Sequence, residues 1–231
     1  MTDTNHVAIV TGASRGLGLA LTNRLAEAGW TVVVDARDPE ALATAASGST
    51  RVVAVAGDIN DHAHRRALVD AAARHGSLHL LVNNASRLGP SPQPRLGEYP
   101  LDTFASVYET NVIAPLGLIQ AALPLLVATE GVVINVTSDA AVEGYEGWGG
   151  YGSSKAALEQ LSRVLAVEEP AISVYWVDPG DMNTRMQQEA FPDEDVSDRP
   201  PPEASVPGMM RLIDDRPRSG RYQVQAVREA R

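Results

Sequence analysis

A chain of 231 residues with 44% apolar side chains can bury one sizeable core and is short for two ordinary domains, so one domain over residues 1–231 is expected. The absence of cysteine excludes disulfides, thiolate nucleophiles and thiolate metal sites. A formal net charge of −10, with no basic cluster interleaved with aromatics, argues against nucleic acid. Short, interrupted apolar runs argue against a membrane span, and with no basic and apolar leader a cytoplasmic protein is expected.

The run HVAIVT at 6–11 predicts a first buried strand. TGASRGLG at 11–18 follows it directly and opens a helix predicted over 17–28. In that turn Gly12 suits a tight bend, Gly16 a close backbone approach to a pyrophosphate, and Gly18 close packing. The free amides and dipole of the helix favour the anion. The glycine spacing differs from the usual G-x-G-x-x-G fingerprint. WTVVV at 30–34 predicts strand two, ending in DAR at 35–37 before a helix over 39–46. RVVAVA at 51–56 predicts strand three, ending in GDI at 57–59 before a helix over 61–75. LHLLV at 78–82 runs into NNAS at 83–86, and a long helix is predicted over 101–127. GVVINVT at 131–137 ends at Thr137 and Ser138, followed by a helix over 152–168. ISVYWV at 172–177 ends in DPG at 178–180. The stretch 184–205, acidic and with four prolines, reads as a surface excursion of the length that lids use. A helix over 204–214 and a final strand near the start of GRYQVQAVREAR complete the chain.

Near-continuous apolar strands alternating with helices predict an α/β fold, a doubly wound parallel sheet covered on both faces by right-handed crossovers. Ligands of such sheets bind outside the carboxyl ends of the strands, where the polar residues above collect. Asp58 either accepts from an adenine amino group or caps helix 61–75; the sequence leaves both open. Asn83 and Asn84 either organise the loop or touch ligand, and the two jobs are compatible. His62, His64, His75 and His79 have no spacing that demands a metal, so surface or capping roles are expected and no metal site is predicted.

TGASRGLG, NNAS, Asn111 in ETNV, Ser138 and YGSSK, with a separation of 13 between Ser138 and Tyr151, resemble the short-chain dehydrogenase/reductase family. The likeness spans about residues 5–227. Two departures stand out: Ser86 replaces the glycine of an NNAG-like element, and the usual glycine pair after the final strand is missing. The resemblance implies a Rossmann-like fold and an NADP(H)-dependent reductase of ketones or aldehydes, working reversibly. The alternative is a dinucleotide-binding regulatory or structural protein without catalysis. It implies Tyr151 as proton donor, Lys155 one helical turn away lowering the phenol's pKa and holding the ribose, Ser138 on the substrate oxygen, and Asn111 placing a water near Lys155. The implied dinucleotide cradle is Gly12, Ser14, Arg15, Gly16, Leu17, Gly18, Arg37, Asp58, Ile59, Asn84, Ala85, Ser86, Pro179, Gly180 and Thr184, with Tyr151 and Lys155 at the nicotinamide end. Ala36 stands where NAD-preferring relatives carry an acid, and Arg15 with Arg37 suit a 2'-phosphate, with Asp35 open either to the same ribose or to pairing with an arginine. The substrate side is expected to involve Ser138, Val142, Tyr145, Trp148, Met186 and Phe191, suiting an apolar or aromatic-faced carbonyl or alcohol. A homodimer or homotetramer is expected, with the changed C-terminus favouring caution over the tetramer.

Overall fold

The computed structural model describes residues 6–227. The last residues of GRYQVQAVREAR, after Val227, lie outside the described residues. Seven strands form one parallel sheet: β1 (Val7–Val10), β2 (Thr31–Ala36), β3 (Val52–Ala56), β4 (Leu78–Asn83), β5 (Val132–Val136), β6 (Ser173–Asp178) and β7 (Gly220–Gln223). Their order is β3-β2-β1-β4-β5-β6-β7. The chain winds outward from β1 to β3 and then returns to build the other half from β4. The β1/β4 boundary is therefore the topological switch point, where the loops after the two strands part.

Both faces of the sheet are apolar, which explains why its strands read as continuous hydrophobic runs. Ala8 and Val10 pack on one side with α1 (Gly16–Glu27) and α8 (Val206–Asp215). Val7 and Ile9 point to the other side, towards α3 (His62–His75) and α5 (Ala114–Ala128). The remaining helices are α2 (Pro39–Ala46), α4 (Leu101–Tyr108), α6 (Gly149–Glu168) and α7 (Arg185–Ala190). Asp61, accepting from Ala63 N at 2.8 Å, caps α3, so Asp58 does not. Asp58 closes its own turn by accepting from Asn60 N at 2.9 Å.

The helix predicted over 101–127 is interrupted by a π-turn, Glu109–Ile113, between α4 and α5. The combined Leu101–Ala128 segment is long and apolar enough to cross a membrane by length and composition. This corrects the expectation from short apolar runs, because a helix averages over the polar residues that break a run. Its inner side packs against β4, α3 and α6, as a core helix does. The excursion 184–205 is more ordered than its composition suggests. Thr184 accepts from Gln187 N at 3.2 Å and starts α7, and Asn183 N donates to Pro200 O at 2.8 Å.

Candidate active site

The glycine turn occupies the end of β1. Gly12 has φ +66°, and a Cβ there would lie 2.8 Å from Ala85 Cα. A Cβ on Gly18 would lie 2.5 Å from Gly12 O and 2.6 Å from Asn84 Nδ2, so both positions exclude a side chain. The turn is locked from β4. Asn84 Nδ2 donates to Thr11 O and Gly12 O, and Asn84 N and Ala85 N both donate to Thr11 Oγ1. Thr11, which the sequence reading did not single out, is thus the hinge pin between the two loops at the switch point. Among the described residues no side chain caps α1, and no acidic residue occupies its first turn. The amides there remain suited to an anion. Leu17 and Ile59 put their side chains into the core, leaving only backbone for a ligand. Ser14 is half-buried beside them.

Asp35 turns neither to the strand-two surface nor to an arginine. It is buried, accepts from Gly12 N at 2.7 Å, and lies with Oδ2 3.2 Å from His64 Nε2. A free backbone amide in the tight turn next to it supplies the stronger local demand. His64 is accordingly a buried partner of Asp35 rather than a surface or capping residue. Arg15 and Arg37 are both exposed. Asp58 is exposed as well, at the end of β3.

Asn111 sits in the π-turn and is 1% exposed. Wide turns of this kind recur at functional sites because they reorient one residue of a helix. Here the reoriented amide is used completely. Nδ2 donates to Arg87 O and Ser154 Oγ, both at 2.9 Å, and Oδ1 accepts from Arg87 N at 2.8 Å and Ser86 Oγ at 3.2 Å. Asn111 therefore ties the loop after β4 to α6.

Tyr151 and Lys155 are both buried on α6, at 8% and 2% exposure. The Tyr151 ring meets Trp148 edge-on at 5.7 Å and packs with Leu88, Ala140, Met186 and Ala190. Lys155 Nζ lies 5.4 Å from the Tyr151 ring centroid and donates to Val136 O at 2.8 Å. Burial pulls its pKa down from 10.5 to about 7. Burial likewise pushes the Tyr151 phenol above its ordinary value, opposed by a hydrogen bond from Ser86, with Asp178 and Asp139 adding to the rise. The expected lowering of the phenol's pKa by Lys155 is not what this arrangement produces. The ammonium is held on the Val136 carbonyl, and desolvation weakens its charge.

Ser138, at the end of β5, donates to Asp139 Oδ1 at 2.8 Å and accepts from Ala140 N at 3.1 Å. Tyr145 donates to the other oxygen of Asp139 at 3.0 Å. Trp148 also contacts Phe191 at 5.8 Å, so the 184–205 segment does reach the Tyr151 cluster through Met186, Ala190 and Phe191. Val142 is 54% exposed and outside that cluster. Near β6, Gly180 N donates to Asp178 Oδ1 at 3.0 Å, and Pro179 O accepts from Ser205 Oγ and Gln225 Nε2. The Thr184 methyl would lie 3.6 Å from a Cβ on Gly16, linking the start of α7 to the glycine turn.

An ionic network behind the site escaped the sequence reading. Arg221 on β7 donates to buried Glu159, to Asp178 and to the carbonyl of Ser138, and Arg163 donates to the other oxygen of Glu159. The final strand thereby fixes the backbone of Ser138. Glu159 lies one turn beyond Lys155 on α6, a spacing that could have flagged it.

The short chain dehydrogenase family model matches residues 6–195. The chain is 33% identical to sepiapterin reductase of Mus musculus over 199 residues, covering 79% of this chain and 76% of that protein. It is 32% identical to benzil reductase ((S)-benzoin forming) of Saccharomyces cerevisiae over 194 residues, covering 79% and 74%. A crystal structure of a short chain dehydrogenase from Shigella flexneri, complexed with NADP, superposes with a TM-score of 0.87 at 29% identity, covering 95% and 97%. This chain belongs to the short chain dehydrogenase family, and its activity class is that of the family's NAD(P)H-dependent oxidoreductases.

Proposed function

We propose that the protein is an NADP(H)-dependent reductase of ketones and aldehydes, also running the reverse alcohol oxidation. The observation that carries this reading is that Tyr151 and Lys155 lie buried together on α6, with buried Asn111 bonded to the same helix through Ser154. The glycine cradle, which a Cβ would fill, and the uncapped start of α1 fit a dinucleotide pyrophosphate. When bound, the nicotinamide supplies the hydride. In this reading Lys155 exchanges its Val136 partner for ribose hydroxyls, and Thr184 holds the carboxamide end. Ser138 turns from Asp139 to the substrate oxygen, and Tyr151 gives that oxygen its proton. Tyr145, Trp148 and Phe191 suit an aromatic-faced carbonyl, so benzil belongs in the first panel with aliphatic ketones and aldehydes. Purified protein should oxidise NADPH with members of that panel. Cofactor binding without turnover in either direction would favour the non-catalytic alternative.

The preference for NADP(H) rests on exposed Arg15 and Arg37 and on the withdrawal of Asp35 beneath the glycine turn. Asp35 is then not in place to repel a 2'-phosphate, and two guanidinium groups are available to hold it. Arg37→Ala should weaken NADPH binding by roughly 10-fold or more while changing NADH binding much less. Equal losses in direct titrations would refute this assignment.

We further propose a homodimer or homotetramer. Ile113, Leu116, Val164 and Val167 leave apolar surface exposed on α5, its entry turn and α6, with Val167 80% exposed. Light scattering should give a mass above the 24.5 kDa of one chain; a monomer at micromolar concentration would refute the assembly.

A further inference from the structure

We propose that His64 and Asp35 act as one positioning unit for the dinucleotide: the imidazole on α3 holds the carboxylate on β2, and the carboxylate holds the glycine turn in the shape that receives the pyrophosphate. The inference rests on the reading of that turn as the dinucleotide cradle.

Asp35 fixes the turn twice. Its carboxylate Oδ1 accepts from Gly12 N at 2.7 Å, and its backbone carbonyl accepts from Ala13 N at 2.9 Å. The first of these bonds holds the residue that takes φ +66°. A carboxylate accepts only, so its second oxygen, 3.2 Å from His64 Nε2, needs the ring proton on that nitrogen. Both residues are buried, at 2% and 8% exposure, and a carboxylate oxygen left there without a partner would be costly. The imidazole is itself confined, because a Cβ on Gly57, just after β3, would collide with it.

The helix start that carries His64 is anchored as well. Asp61 caps it, and Arg65, the next residue along, donates from Nη1 to Ile59 O at 2.7 Å and to Asn60 O at 2.9 Å. The first turn of α3 therefore braces two parts of the cradle at once: the loop after β3 through Arg65, and the glycine turn through His64 and Asp35. On its other flank the glycine turn is pinned from β4 through Thr11. The turn is thus shaped before a ligand arrives, and binding does not have to order it. The pyrophosphate is common to NADPH and NADH, so this unit serves both, unlike Arg37 at the 2'-phosphate.

The test compares wild type with His64→Leu, which fills similar space without a donor, and with His64→Gln, which returns an N–H at similar reach. Fluorescence titration without substrate should show the dissociation constants of NADPH and NADH both raised about 10-fold or more in His64→Leu, by factors that agree within about threefold. His64→Gln should bring both back towards wild type. With a panel carbonyl that is turned over, the loss should fall on the NADPH KM, while kcat changes less than about threefold, because the unit touches no reacting atom. Amide exchange in the free protein should speed up over residues 11–16 in His64→Leu and stay unchanged in α5 and β6. Unchanged affinities in a folded His64→Leu, or a loss confined to NADPH, would overturn the proposal. If His64→Leu does not fold, wild type decides: a Gly12 amide protected from exchange without ligand supports the unit, and one that exchanges as fast as exposed amides overturns it. The two failures stay distinct. Wild type that binds neither dinucleotide removes the cradle reading, whereas wild type that binds them no better than His64→Leu removes only the role of His64 and Asp35.

Discussion

Tyr151→Phe should lower carbonyl reduction by about 10²–10⁴-fold, the range that a positioned general acid contributes, while leaving the fold and NADPH binding close to wild type. The ring is what packs: it meets Trp148 edge-on and fills the space between Leu88, Ala140, Met186 and Ala190. Phenylalanine keeps those contacts and deletes only the phenolic oxygen with its exchangeable proton. The direction of the pH dependence follows from the raised pKa. Burial, Asp178 and Asp139 keep the phenol protonated through the neutral range, so its ionisation should not limit reduction there. Alcohol oxidation needs the phenolate as base and should rise with pH over the same range. Single-turnover measurements would isolate the chemical step. Near-normal rates in Tyr151→Phe, with chemistry limiting, would remove Tyr151 from the mechanism.

Lys155→Met should abolish most turnover and, without added dinucleotide, make the protein more stable. Lys155 is 2% exposed, and among the described residues its one hydrogen-bond acceptor is the carbonyl of Val136. A pKa lowered from 10.5 to about 7 means that the folded state disfavours the ammonium, on the order of 3–5 kcal/mol at neutral pH and below. Both states are protonated below about pH 7, and the full cost applies. Between about pH 7 and 10.5 the unfolded chain binds more protons than the folded one, so wild-type stability rises with pH and the cost disappears. Methionine fills similar space with no charge to desolvate, although it leaves Val136 O without that donor, an offset of about 1 kcal/mol. The net gain near pH 7 should be about 2–4 kcal/mol, or roughly 4–16 °C in Tm for a chain of this size. It should shrink by about 1.4 kcal/mol per pH unit above that. Urea unfolding at about pH 6.5 and 9.5 reads both numbers; a variant equally or less stable at both would show that Lys155 carries no burial cost.

Much of the fold was legible because the strands are buried on both faces. Uninterrupted runs such as VVV in β2 can be read without knowing which side is inside. The π-turn at Asn111 was not legible, since ETNVI continues the helical pattern on both sides and only the demand of Arg87, Ser86 and Ser154 on one amide shows what the distortion accomplishes. Residue types and order were sufficient to nominate Tyr151, Lys155, Ser138 and Asn111. They could not give hydrogen-bond partners, which depend on neighbours far apart in the chain. Asp35 is held by Gly12 and His64, 23 and 29 residues away, and Ser138 is braced by Arg221, 83 residues away. The role of Ser86 was hidden for the same reason. In sequence it is a departure from the family pattern, and in space its hydroxyl donates to Asn111, 25 residues away.

Following the hydride tests carbonyl reduction and the proton-donor role of Tyr151 together. Wild type and Tyr151→Phe are incubated with NADPH deuterated at the transferable position and with the carbonyl panel, and the products are read by mass spectrometry over time. The expected product is an alcohol carrying one deuterium on the former carbonyl carbon, formed by wild type at least about 100-fold faster than by Tyr151→Phe. No deuterated alcohol from any panel member despite NADPH binding, or equal rates from the two proteins, would contradict it.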